Sequence, residues 1–153
     1  GPATHKERDV NESAGQARTL RDAFDRLEIA ELYAKYALAL DDQDLELMAA
    51  CFTEDVEFIP GNPDAPARTG IKANQDRLVQ RHREANFRER HITTHPVIRT
   101  LAENRAEASA EAVIYVSHDG APPKLQAIGR YDDILERHQE GWKFARRLFV
   151  RDV

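Results

Sequence analysis

The stretch RAEASAEAVIYVSHDGAPPKLQAIGRYDDILERHQEGWKFARRLFVR, residues 105–151, decides the fold. Apolar residues recur there at every second position, the period of a strand with one buried face. Asp119-Gly120-Ala121-Pro122-Pro123 and Gln139-Glu140-Gly141 interrupt the alternation with turn chemistry. The stretch therefore divides into strands over 105–118, 124–138 and 142–151. Upstream, 91–101 alternates in the same way and Glu103-Asn104 separates it from the rest. Four strands joined by short turns form an antiparallel meander. Strands this long accumulate twist, so the sheet curls and acquires a concave face.

Toward the N-terminus the period changes to about 3.6. Leu27, Leu32, Tyr33, Tyr36, Ala37 and Leu40 recur at helical spacing and predict an amphipathic helix over about residues 22–41. Asp41-Asp42-Gln43-Asp44 interrupts it, and Asp44 is a suitable N-cap for a shorter helix through Leu45, Leu47, Met48 and Phe52. Val56–Ile59 alternates until Pro60-Gly61-Asn62-Pro63 stops it, which predicts a short strand and a loop. Gly70 precedes a third helix over about 71–85, with Ile71, Leu78 and Val79 on its inner face. Three helices followed by a meander make an α+β arrangement in which the helices close the curled sheet into a cone around a pocket. Residues 1–20 lack apolar periodicity and read as a polar arm, helical near Gln16–Arg21 and opened by Gly1-Pro2, a protease-cleavage scar. Residues 21–153 form the domain.

Bulk properties narrow the function. A chain of 153 residues is one domain's worth, with room for a core and a cavity. A net charge of -5, with arginines alternating with acids as in Arg88-Glu89-Arg90, gives no basic stripe for nucleic acid. No apolar run approaches the roughly 18 residues that span a bilayer, and no signal peptide is visible. The single Cys51 lies among Ala49, Ala50 and Phe52 without a basic neighbour; it reads as a small buried hydrophobe and fits a cytoplasmic setting.

Candidates for chemistry are few. Asp41 ends a mostly apolar helix, where the dipole disfavours a carboxylate; it is a loop-forming acid or a used one. His91, Thr93, His95 and Val97 share a face at strand period, which points both histidines into the cone or leaves them on an edge strand facing water. His82 falls on an arginine-rich helix face and reads as solvated, and Arg130, Arg146 and Arg147 read as a solvated or dimer-facing surface. A metal is not expected, since two strand residues four apart stand about 13 Å from each other. GxGxxG, GxxxxGK[ST] and Gly-x-Ser-x-Gly are all absent, which removes the common nucleotide cradles and the hydrolase elbow. Acid/base chemistry from carboxylate, imidazole and phenol groups remains. Leu40, Phe52, Phe58, Leu78, Phe87, Val97 and Trp142 supply an apolar lining suited to a small hydrophobic substrate.

The residues also carry a resemblance. Arg26-Leu27-Glu28-Ile29-Ala30-Glu31-Leu32-Tyr33-Ala34-Lys35-Tyr36, ending at Asp41, resembles the first helix of SnoaL-like proteins in the NTF2-like superfamily. Leu47–Val56, Arg90–Ile98, Gly129–Asp133 and Gly141–Arg147 resemble their later segments in the same order. The resemblance implies an NTF2-like cone and a cofactor-free lyase or isomerase, such as a dehydratase or polyketide cyclase. In the dehydratases and a dehydrochlorinase of that superfamily, an aspartate ending the first helix pairs with a histidine on the strand after the third helix. Those positions correspond to Asp41 and His91, and a tyrosine that contributes in the bile-acid dehydratase corresponds to Tyr36. The pattern departs at Ala112-Val113-Ile114, where the dehydratases carry a further polar residue and Tyr115 is the nearest substitute, and at Leu40, where scytalone dehydratase has a tyrosine. The resemblance thus implies Asp41, His91 and Tyr36 as catalytic, with Tyr115, His95, Phe58, Leu40 and Trp142 around the substrate. It also implies a homodimer that covers the outer sheet face. A non-catalytic binding or assembly module with the same cone is the alternative, and an epoxide hydrolase with an Asp–Arg–Asp set is a weaker one.

Overall fold

In the computed structural model, which describes residues 1–2 and 4–153, the alternation of residues 105–151 becomes three long neighbouring strands. The elements run α1 (His5–Asp41), α2 (Leu45–Cys51), β1 (Phe52–Ile59), β2 (Arg68–Thr69), α3 (Ile71–Ala85), β3 (Phe87–Thr93), β4 (Val97–Leu101), β5 (Arg105–His118), β6 (Lys124–His138) and β7 (Gly141–Arg151). The sheet order is β2-β1-β7-β6-β5-β3, with β4 also on β5. All pairings are antiparallel except β1 with β7, so the class is α+β with a mixed, mainly antiparallel sheet. Register shifts on β5–β6 and β6–β7 mark irregularities of the kind that bend strands.

The expected strand over 91–101 is two strands. Pairing begins earlier, at Phe87, and breaks at Thr94-His95-Pro96, so β3 and β4 lie end to end along β5. Pro96 has no N–H to donate, which ends the ladder. Thr94 completes it instead: its N–H donates to Glu111 O (3.0 Å) and its hydroxyl accepts from Glu111 N–H (2.9 Å).

The polar arm is also helical. Thr4 and Glu7 form a reciprocal capping box, with Glu7 N–H on Thr4 Oγ1 (3.2 Å) and Thr4 N–H on Glu7 Oε2 (2.8 Å). Lysine, glutamate, arginine and glutamine there are good helix formers. No described side chain before Asp25 is buried. From there α1 buries Ile29, Leu32, Tyr33, Tyr36 and Leu40 against the sheet. Leu27, expected on that face, is 66% exposed, because it lies about 140° around the wheel from Leu32. On α2, Asp44 Oδ1 accepts from Leu47 N–H (3.0 Å), the expected cap. On α3, Leu78 is buried but Val79 is exposed.

The inner face of β5 carries Ala106, Ala108, Ala110 and Ala112, small enough to admit the aromatic side chains that fill the cone. Tyr33, Tyr36, Phe52 and Phe144 pack edge-on or tilted at 5.1–6.4 Å between centroids. Trp142 lies at the far end, where its indole N–H and Arg137 both donate to the buried Asp25 (3.2 and 2.6 Å), pinning α1 to the β6–β7 hairpin. No described helix is long and apolar enough to cross a membrane.

Candidate active site

A cavity of about 310 Å³ opens between α3, the end of α1 and the concave sheet face. That is at the small end of ligand pockets, about 300–1,000 Å³. Tyr36, Leu40, Phe58, Leu78, Phe87 and Ile114 line it, together with His91, Glu89 and Tyr131.

His91 is placed by strand register. It pairs with Ile114, and both face inward, while Ile92 and Val113 face out. Asp41 arrives from the last turn of α1, which ends because Gln43 takes a left-handed conformation (φ 53). The Asp41 carboxylate then holds His91 by both main chain and ring. His91 N–H donates to Oδ1 (3.0 Å) and Oδ2 (3.1 Å), and ring Nδ1 lies 2.7 Å from Oδ1. The two side chains are 4% and 5% exposed. An ionised carboxylate can only accept, so Nδ1 carries a proton, and in the neutral ring Nε2 keeps its lone pair.

Glu89 stands two residues before His91 on the same face and is 2% exposed. Arg81 Nη2 meets Oε2 at 2.7 Å and His82 Nε2 meets Oε1 at 3.1 Å. His82 is thus buried against Glu89, and the expected solvated position is wrong. Asp41, Glu89 and His91 bring ligand atoms within 4.8 Å of one another. Arg81 already neutralises Glu89, and Asp41 is spent on three hydrogen bonds, so a cation would have to displace partners these groups hold.

Two phenols, Tyr36 and Tyr131, also line the cavity. Burial pushes Tyr131 up to about 12 and raises Tyr36 further in the same direction, so both stay protonated donors at neutral pH. Behind them lies Arg147, 0% exposed, with its guanidinium 3.6 Å from the Tyr131 centroid and 4.4 Å from that of Tyr36. It pairs with Asp133 (3.0 and 3.1 Å), which also accepts from the Tyr33 hydroxyl. Burial opposes the Arg147 charge, but Asp133 and the three tyrosines outweigh it and raise its pKa. The expectation of a surface arginine fails here, since a cation buried among paired groups has no period of its own in sequence. Arg130 is exposed as read, on Glu111.

Several other expected site residues lie elsewhere. The break at Pro96 turns His95 and Val97 outward, and both are exposed. Tyr115 lies on the outer face beside Ile92. Trp142 and Phe52 are buried but do not line the cavity. Cys51 is 1% exposed and burial raises its thiol to about 11, as befits an unreactive core residue. Glu89, Arg81 and Tyr131 were missed; extending the β3 alternation two residues back from His91 would have found Glu89.

A family model described as a SnoaL-like domain matches residues 21–148. No curated protein matches the chain. Among solved structures, Rv3472 of Mycobacterium tuberculosis, a protein of unknown function, is 28% identical with TM-score 0.78, over 88% of this chain and 75% of that one. A Novosphingobium aromaticivorans protein whose scytalone dehydratase name is itself an inference is 22% identical with TM-score 0.75, over 88% and 89% of the two chains. An NTF2-like protein with a cystatin-like fold from the same organism is 24% identical with TM-score 0.79, over 89% and 87%.

Proposed function

The chain belongs to the SnoaL-like domain family, and from that premise we propose that it is a cofactor-independent lyase or isomerase of the dehydratase or cyclase kind, acting on a small, largely hydrophobic carbonyl compound. The observation that carries this reading is the 2.7 Å contact between His91 Nδ1 and Asp41 at the wall of the cavity. Asp41 holds the imidazole so that Nε2 takes a proton from the carbon next to the substrate carbonyl. The electron pair of that C–H bond moves onto the carbonyl oxygen, and the hydroxyl of Tyr36 donates to the oxyanion. Where a β-hydroxyl is present, the enolate re-forms the carbonyl and expels hydroxide, which takes the proton from the imidazolium and leaves as water. Where none is present, the imidazolium returns its proton to another carbon, giving an isomer or setting up ring closure.

Asp41→Asn and His91→Ala test this against β-hydroxy ketones and polyketide-type intermediates. Turnover falls by about 10²–10⁴-fold in each, the usual contribution of a positioned base. Unchanged turnover in both folded variants removes the dyad from the mechanism. The second reading is a non-catalytic binding module, favoured if ligands bind and none is turned over by the wild type.

The same reading includes a homodimer. Its support is the outer face of β3 and β5, where Ile92 and Tyr115 are exposed around a shallow groove with Pro123.

A further inference from the structure

The charge of the cavity opposes that of the protein. The chain carries a net -5, yet the charged side chains lining the cavity are Arg68, Arg77, Arg81 and Arg151 against the single carboxylate of Glu89, beside the imidazole of His91 and the phenols of Tyr36 and Tyr131. Two of these arginines are committed. Arg81 is paired with Glu89, and Arg151 donates to Val153 O (2.9 Å) and Gln126 O (3.0 Å).

Arg68 is held differently. Its guanidinium lies over the Phe58 ring, 4.6 Å from the centroid, and its Nε donates to Asn74 Oδ1 at 3.1 Å. Asn74 is itself buried and fixed, donating from Nδ2 to Gly70 O at 2.8 Å. The head group is thus oriented by a ring and a neutral amide, and no carboxylate among the described residues pairs with it. One of its five N–H donors is used, and the four on Nη1 and Nη2 remain. Burial works against its charge, and Arg77 and Arg81 add repulsion. A half-buried, pre-oriented cation without a counter-ion, in a wall that already carries excess positive charge, is a receptor for an anion.

We propose that the substrate is a carboxylic acid with a compact apolar body, and that Arg68 binds its carboxylate while the carbon to be deprotonated faces His91. This deepens the lyase–isomerase reading and rests on it for the role of His91, but the binding step stands apart from turnover. The planar fork of a guanidinium matches a carboxylate in two parallel hydrogen bonds, which fixes the ligand's orientation as well as its position. Glu89 stays neutralised by Arg81, so it does not repel the ligand.

Calorimetric titration with 2-naphthoate and with its neutral isostere 2-naphthamide tests this. Wild type binds the acid about 10–100-fold tighter than the amide, the range for charge-assisted hydrogen bonds. Arg68→Gln abolishes the preference and leaves amide binding intact, and Arg68→Lys, which keeps the charge but loses the fork, retains part of it. Arg88→Gln, on the exposed outer side, changes nothing. His91→Ala keeps the acid preference in full, so failure of the dyad mechanism and failure of this proposal are separable. An equal affinity of wild type for acid and amide overturns it. So does an undiminished acid preference in Arg68→Gln or, should that variant not fold, in Arg68→Lys.

Discussion

One carboxylate at Asp41 accepts from both the main chain and the ring of His91, so it fixes the strand as well as the imidazole. Arg147 shows the opposite economy: a whole guanidinium is buried to satisfy Asp133 and, through it, Tyr33. Breaking a buried pair from one side leaves an uncompensated charge, whereas removing all of it can be neutral. Arg147→Met is therefore expected to cost about 3–5 kcal/mol in urea unfolding. Adding Asp133→Leu and Tyr33→Phe to that variant should recover most of the loss, and a triple variant no more stable than the single one would contradict this account. Position alone left His91 and Asp41 open, and the resemblance to SnoaL-like proteins singled them out as a pair. Arg147 could not be singled out, because Arg146-Arg147 beside Leu148 reads the same whether the strand shows that face to water or to the core.

Among the elements, α1 divides into a supported and an unsupported half. The capping box at Thr4 starts the helix, yet the first buried described side chain is Asp25, which anchors Arg137 and Trp142. We propose that residues 1–20 are an appendage to a domain over 21–153. Deleting residues 1–19 should move the thermal midpoint by less than about 4 °C, the equivalent of about 1 kcal/mol for a domain of this size. Calorimetric scans of the two chains decide it. The divided strand β3–β4 teaches the same point from the other side. Alternation was legible from His91 to Leu101, but the break at Pro96 changed which residues face the cavity, and so His95 and Val97 were misplaced.

For the whole molecule, the phenols in the core link stability to alkaline pH. Burial raises Tyr131 from the ordinary 10.0 to about 12, and Tyr33 and Tyr36 shift the same way. A phenol whose folded pKa is raised stabilises the native state fully below the unfolded value, and that contribution is lost as pH rises toward the folded value. Stability should hold up to about pH 10 and fall between there and about pH 12, with the buried phenolates appearing together with unfolding. Phenolate absorbance and circular dichroism followed in parallel check this; buried phenols that ionise well before unfolding would contradict it. The outer face gives the second expectation at this scale. Ile92 is 58% exposed beside Tyr115, and light scattering at micromolar concentration should give a dimer that Ile92→Lys converts to monomer. A wild-type monomer would sink the homodimer.

The sequence by itself determined the α+β cone, since period 2 in residues 105–151, period 3.6 in α1 to α3 and the turn chemistry between them are local properties of the chain. Through the resemblance it also implied Asp41, His91, Tyr36, Leu40 and Phe58 as site residues, together with Tyr115, His95 and Trp142, which lie away from the cavity. Tertiary structure alone decided that Glu89 meets Arg81 and His82 of α3, that Arg147 and Asp133 are buried, and that Arg68 reaches the cavity with only a neutral amide as its hydrogen-bond partner. Those facts depend on which charged groups meet when separate elements pack together. Periodicity says which way a side chain points and nothing about what it finds there.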